Sequence, residues 1–198
     1  MSDDWRRVAV AGHEGDEAVA REALASADPQ TRVLALGALA RMGALSDDDL
    51  RAACADPEAG VRRRVALLAA THPEMSVLPL LHDREATVVE AAAWAAGEQE
   101  TVGDDVLEVL IRSATAATDP LVREACVAAL GAIGDERGLP AVLAGCADKP
   151  AIRRRAVLAL APFDGPAVVA AWRAALEDRD WQVRQAAEDL APFMSPDD

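Results

Sequence analysis

Tyrosine is missing from this 198-residue sequence, and Phe and Trp together make up only 3% of it. Sheets draw on aromatic and β-branched side chains. A chain that is 52% hydrophobic with so few rings fills its interior with Ala, Leu and Val instead, the composition of closely packed helices. Basic charge is also short. Lys and Arg number 20 against 34 Asp and Glu, for a formal net charge of −14, and a chain so acidic lacks the surface that grips phosphate backbones. Nucleic acid is therefore excluded as an expected partner. Lysine is represented by Lys149 alone, and this bias toward Arg, with the Ala and Asp richness, suggests a GC-rich bacterial genome.

Cysteine is scarce: Cys54, Cys126 and Cys146 are odd in number and sit among Ala, Val and Leu, as expected of buried thiols in a reducing compartment. They imply no disulfide framework. Apolar runs are broken by Arg, Asp or Pro well before membrane-spanning length, and MSDDWRR lacks the apolar core of a signal peptide. The expectation is a soluble, cytoplasmic protein with no membrane partner. Because no Gly/Ser-rich or Pro-rich linker divides it, residues 1–198 read as one domain.

What is present is a repeat. Its cleanest copy, DPLVREACVAALGAIGD, runs from Asp119 to Asp135, and related segments start at Asp28, Asp56, Asp83, Asp148 and Asp178. Aligned on their Arg, the copies place Arg32, Arg62, Arg123, Arg153 and Arg184 in one slot, Val89 in the same slot of the fourth copy, and a period of roughly 30 residues. WRRVAVAGHEGD, from Trp5 to Asp16, reads as a degenerate opening copy. Asp caps orphan amides, Pro suits the first helical position, and small residues recur on one face, so each motif starts a helix. The stretches between motifs, such as DDVLEVLIRSATAA and DERGLPAVLAGCA, open with acids and continue with helical apolar spacing. Each unit is a helical hairpin, and since one hairpin cannot bury its apolar face alone, neighbours must stack. The charged start and the acidic SPDD tail are expected to cap the stack.

The DPxVRxxAxxALGxIGD pattern resembles the HEAT-like repeat first associated with phycobilisome lyases, over nearly the whole chain. The resemblance implies an all-α fold, an α-α superhelix or right-handed solenoid of about six hairpins. It decides little about function, because that family includes scaffolds, lyase subunits, a hydroxylase and DNA glycosylases.

The residues point to no chemistry. The repeated Asp and Arg recur in every unit, which marks them as capping and inter-repeat pairing groups. His13, His72 and His82 form no i, i+4 pair and have no Cys at ligand spacing, so no metal and no cofactor are expected. The single His13-Glu14 pair falls short of the several such pairs that the deoxyhypusine hydroxylase branch requires. No catalytic residue is assigned. Charge differs between the helices: Arg gathers on the first helix of each hairpin, and carboxylates on the second. In HEAT-like arrays the second helices line the concave face, so the resemblance implies an acidic groove.

The expected function is a non-enzymatic protein-interaction scaffold for a basic or mixed-charge protein or peptide, with Glu22, Asp49, Asp105, Glu108, Arg112 and Trp172 as its contact residues. Trp5, Trp94 and Trp181 are expected to be structural. The rival reading is a lyase-like or accessory protein that holds a small ligand in the groove. A glycosylase would need a basic groove, which the carboxylates deny. The long interval from Asp83 to Asp119, 36 residues against 27 to 30 elsewhere, marks an insertion near residues 97–105 that bends the array, presents an acidic loop or is merely tolerated.

Overall fold

A computed structural model describes residues 3–194, and the expected SPDD cap lies outside the described residues. Thirteen α-helices and no strand are present among those residues. They are α1 (Asp3–Glu14), α2 (Glu17–Ala23), α3 (Pro29–Met42), α4 (Asp47–Cys54), α5 (Ala59–Ala69), α6 (Leu78–Leu81) and α7 (Ala86–Glu98). The order continues with α8 (Asp104–Ala116), α9 (Pro120–Ile133), α10 (Leu139–Gly145), α11 (Pro150–Ala159), α12 (Pro166–Leu176) and α13 (Trp181–Leu190). Each even helix packs on the odd helix that follows it, from α2 on α3 to α12 on α13, which makes six hairpins, and α1 packs on both α2 and α3.

The motif supplies the helix starts as its chemistry predicts. The Asp28 carboxylate accepts the Thr31 amide, Asp119 accepts that of Leu121, and Pro29, Pro120 and Pro150 occupy first-turn positions. Gly43 and Gly134, at φ 65° and 68°, end α3 and α9 in the left-handed conformation that Gly adopts without strain.

Odd helices stack side by side along the whole array, whereas sustained contact between even helices runs only from α6 to α12. Gly makes the odd stack close. A Cβ on Gly131 of α9 would stand 2.5 Å from the Ala159 Cβ of α11, and one on Gly97 of α7 would stand 3.3 Å from the Ala129 Cα of α9. In a two-layered stack the layer with the tighter spacing lies on the inside of the curve, so the first helices, and not the acidic second helices, form the inner face. The expectation of an acidic groove carried by the second helices is therefore not what the packing produces.

One continuous core runs from Leu36 to Leu190 between the two layers. A smaller cluster of Val8, Ala20, Ala23, Ala35, Ala38 and Leu39 holds the first hairpin onto α3. The insertion is absorbed as helix. Gln99 donates to the Ala69 carbonyl at 3.2 Å, pinning the α7–α8 loop back on α5, and α8 reaches 13 residues where α4 has 8. The extra length is about one and a half helical turns.

Candidate functional site

The repeated Asp and Arg form a ladder that reaches forward from each unit to the next. Arg32 holds Asp56 through Nε at 2.8 Å and Nη2 at 2.7 Å, while its Nη1 donates to the Ser26 carbonyl. The same fork joins Arg62 to Asp83, Arg123 to Asp148 and Arg153 to Asp178. These bidentate, charge-assisted bonds hold the Asp83, Asp148 and Asp178 carboxyls below the ordinary range, against the opposing effect of burial. At the first rung an indole replaces the guanidinium: Trp5 Nε1 donates to Asp28 at 2.6 Å. At Val89 the ladder is interrupted, and there Asp119 serves as a helix cap. The rungs thus take up Arg32, Arg62, Arg123 and Arg153, whereas Arg6, Arg41, Arg64, Arg154 and Arg184 of the odd helices form no ion pair among the described residues.

The six contact residues expected from sequence fall on the even layer, in separate places. Glu22 is exposed on α2 and pairs with Arg7 at 2.9 Å. Asp49 closes a capping box with Ser46 on α4 and receives Arg21 at 3.0 Å. Asp105, Glu108 and Arg112 share one exposed face of α8. Trp172 on α12 is half-buried against the core and donates its indole N–H to the Ala187 carbonyl at 2.8 Å. Only the α8 trio is brought together.

The structure exposes two tryptophans that the sequence reading treated as structural, Trp94 at 46% and Trp181 at 65%, and alongside them Leu121 at 38% and Leu158 at 39%. They belong to four successive odd helices, α7, α13, α9 and α11. A groove of about 400 Å³ runs beside Trp94, floored by Ala125, Ala128, Ala129 and Ala132 and flanked by Glu90, Glu98 and Glu124. Arg155 lines this groove and also the neighbouring hollow, where Leu158 and Trp181 lie, and so stands between the two. The signal available in the sequence was register. Trp94 and Leu158 both stand five residues after the ladder slot, and in α7 and α11 that position is exposed.

Burial pushes the Cys126 thiol up to about 12 and Cys146 up to about 11, so neither is a thiolate at neutral pH. Among the described residues no group of three or more His, Cys, Asp or Glu side chains could hold a metal, and no helix is long and apolar enough to cross a membrane.

Residues 74–155 match the family model for HEAT repeats. The fold is a HEAT-like helical solenoid. A solved engineered protein shares it with a TM-score of 0.56 and 18% identity, over 98% of this chain and 96% of that one. Human deoxyhypusine hydroxylase, solved in complex with glycerol, aligns with a TM-score of 0.50 and 18% identity over 96% of this chain and 78% of its own. At such identity both likenesses concern the solenoid alone. No curated protein matches the sequence. In this HEAT-like solenoid the ladder specifies the stack, and the exposed apolar residues of the odd layer are left over from it.

Proposed function

We propose that this solenoid is a non-enzymatic scaffold that binds a basic or mixed-charge protein partner. The observation that carries the reading is how its charged and apolar groups are spent. The motif's Arg and Asp are consumed in rungs between repeats, while large apolar side chains stay exposed in a row. An exposed row of this kind marks a surface for another molecule. HEAT repeats commonly serve as interaction scaffolds, which agrees with the family match over residues 74–155. The net charge of −14, with Glu17, Asp47, Asp48, Asp104, Asp105 and Glu108 exposed on the even layer, favours encounter with a basic partner.

Affinity capture from source cells tests this, comparing the natural chain with a variant carrying Glu22→Lys, Asp105→Lys and Glu108→Lys. The expected result is a specific protein retained by the natural chain and retained less, with reduced salt dependence, by the variant. Capture of no protein by the natural chain overturns the scaffold reading, and equal retention by both overturns the role of the acidic surface. A small ligand in the 400 Å³ groove is the rival, and it is recognised by a bound chromophore or metabolite in the purified protein.

A further inference from the structure

We infer that the groove between α7 and α9 is the partner-docking site, and that its occupant is an amphipathic segment of another protein that sets a Lys or Arg over Trp94 beside an apolar anchor. The inference rests on the scaffold reading and deepens it.

The geometry of α7 sets the chemistry. Glu90, Trp94 and Glu98 follow at intervals of four, so an exposed indole stands between two carboxylates on one helical face. Glu90 is 3.4 Å from Arg63, and Glu124, across the groove on α9, is 4.0 Å from Arg155. Glu98 forms no ion pair among the described residues. A cation entering here finds the exposed indole of Trp94 and the free carboxylate of Glu98 on one helical face, with Arg155 drawn toward Glu124 on the other side, a combination that neither an anionic nor a purely apolar ligand would use. The floor of Ala, with no side chain long enough to fill it, leaves room for one aliphatic or aromatic anchor beside Leu121.

Beyond Arg155 a neighbouring hollow places exposed Leu158 and Trp181 among Arg154, Gln182, Gln185 and Asp189, so apolar and polar side chains alternate on from the groove to α11 and α13, a spread that a polypeptide can use and a small molecule cannot. Trp and Arg are also the residues over-represented where binding energy concentrates. A second copy of this chain is the wrong occupant, because two bodies each carrying −14 repel.

The probe is a helical Leu/Lys peptide with Leu at i, i+3, i+4 and i+7, compared with a Leu/Glu peptide of the same pattern, and binding is read by anisotropy of the labelled peptide and by tryptophan fluorescence. The full chain should bind the Leu/Lys peptide and not the Leu/Glu one. Trp94→Ala and Leu121→Asp should each weaken binding about tenfold or more. Glu98→Lys, a change at an exposed position of the groove rim, should do the same without touching the core. The double variant Asp105→Lys/Glu108→Lys on the outer layer should stay within about threefold, since distant charges act mainly on the association rate. Failure to bind the Leu/Lys peptide overturns the inference. So does an outer-layer double variant that loses as much as the groove variants, because net charge alone would then explain binding. Cellular partners captured equally by the natural chain and by Trp94→Ala would leave the scaffold reading standing and remove this groove from it.

Discussion

Arg62 shows what a single rung contributes. Its side chain and that of Asp83 are only 7% and 8% exposed, and the guanidinium also donates to the carbonyls of Asp56 and Pro57. Arg62→Ala leaves a buried carboxylate with the Glu85 amide as its donor and no cation, and takes the guanidinium from the Asp56 carbonyl, and it should cost about 3 kcal/mol in urea unfolding. The rungs also set the acid limit. The Asp83, Asp148 and Asp178 carboxyls are held low by Arg62, Arg123 and Arg153 respectively. Their folded pKa values lie below the unfolded value of about 3.9. Their stabilisation is then complete above that value and is lost as pH falls through the lower folded values. Urea midpoints should therefore be flat near neutrality and drop below about pH 4, with a shallower drop in Asp83→Asn. The recurring Asp and Arg were readable from sequence because they repeat. The role of Trp5 as a substitute donor was not, since nothing in its spacing distinguishes a rung from an end cover.

At the scale of the element, glycine sorts close approach from accident. Gly131→Ala places a methyl 2.6 Å from the Ala159 Cα and 3.0 Å from its carbonyl oxygen, so α9 and α11 must part. The expected loss is about 1–3 kcal/mol, despite the higher helix propensity of Ala. Gly60 of α5 has nothing within 4 Å of the same methyl, and Gly60→Ala should gain about 0.4–1 kcal/mol. Thermal denaturation of the pair should give shifts of opposite sign. Helix starts and the hairpin plan were legible because Asp, Pro and Gly act locally. Which layer lies inside was not, because it depends on how closely neighbouring helices pack, and that is a property of pairs of units. The same limit explains Trp94: its distance from the ladder slot was visible, but the outward direction of that position required the stack.

For the whole molecule, stability in a stacked array is close to a sum of unit and neighbour terms, so it need not be uniform. The first hairpin joins the array through a small Ala-rich cluster separate from the main core, while α7 and α9 lie in the middle of the continuous one. Amide hydrogen exchange should be fastest in α1 and α2 and slowest in α7 and α9, and equal protection throughout would contradict the division of the core. The ladder has a last consequence, for how such a molecule can change in length over generations. Each rung takes its donor from one unit and its acceptor from the next. Duplicating or deleting a whole period between like rungs therefore regenerates a matched junction without any compensating substitution, whereas a cut of any other length orphans one charge. The junction between Val89 of α7 and Asp119 at the start of α9 has no such interchangeable parts, so growth by duplication is open on either side of that junction and closed across it.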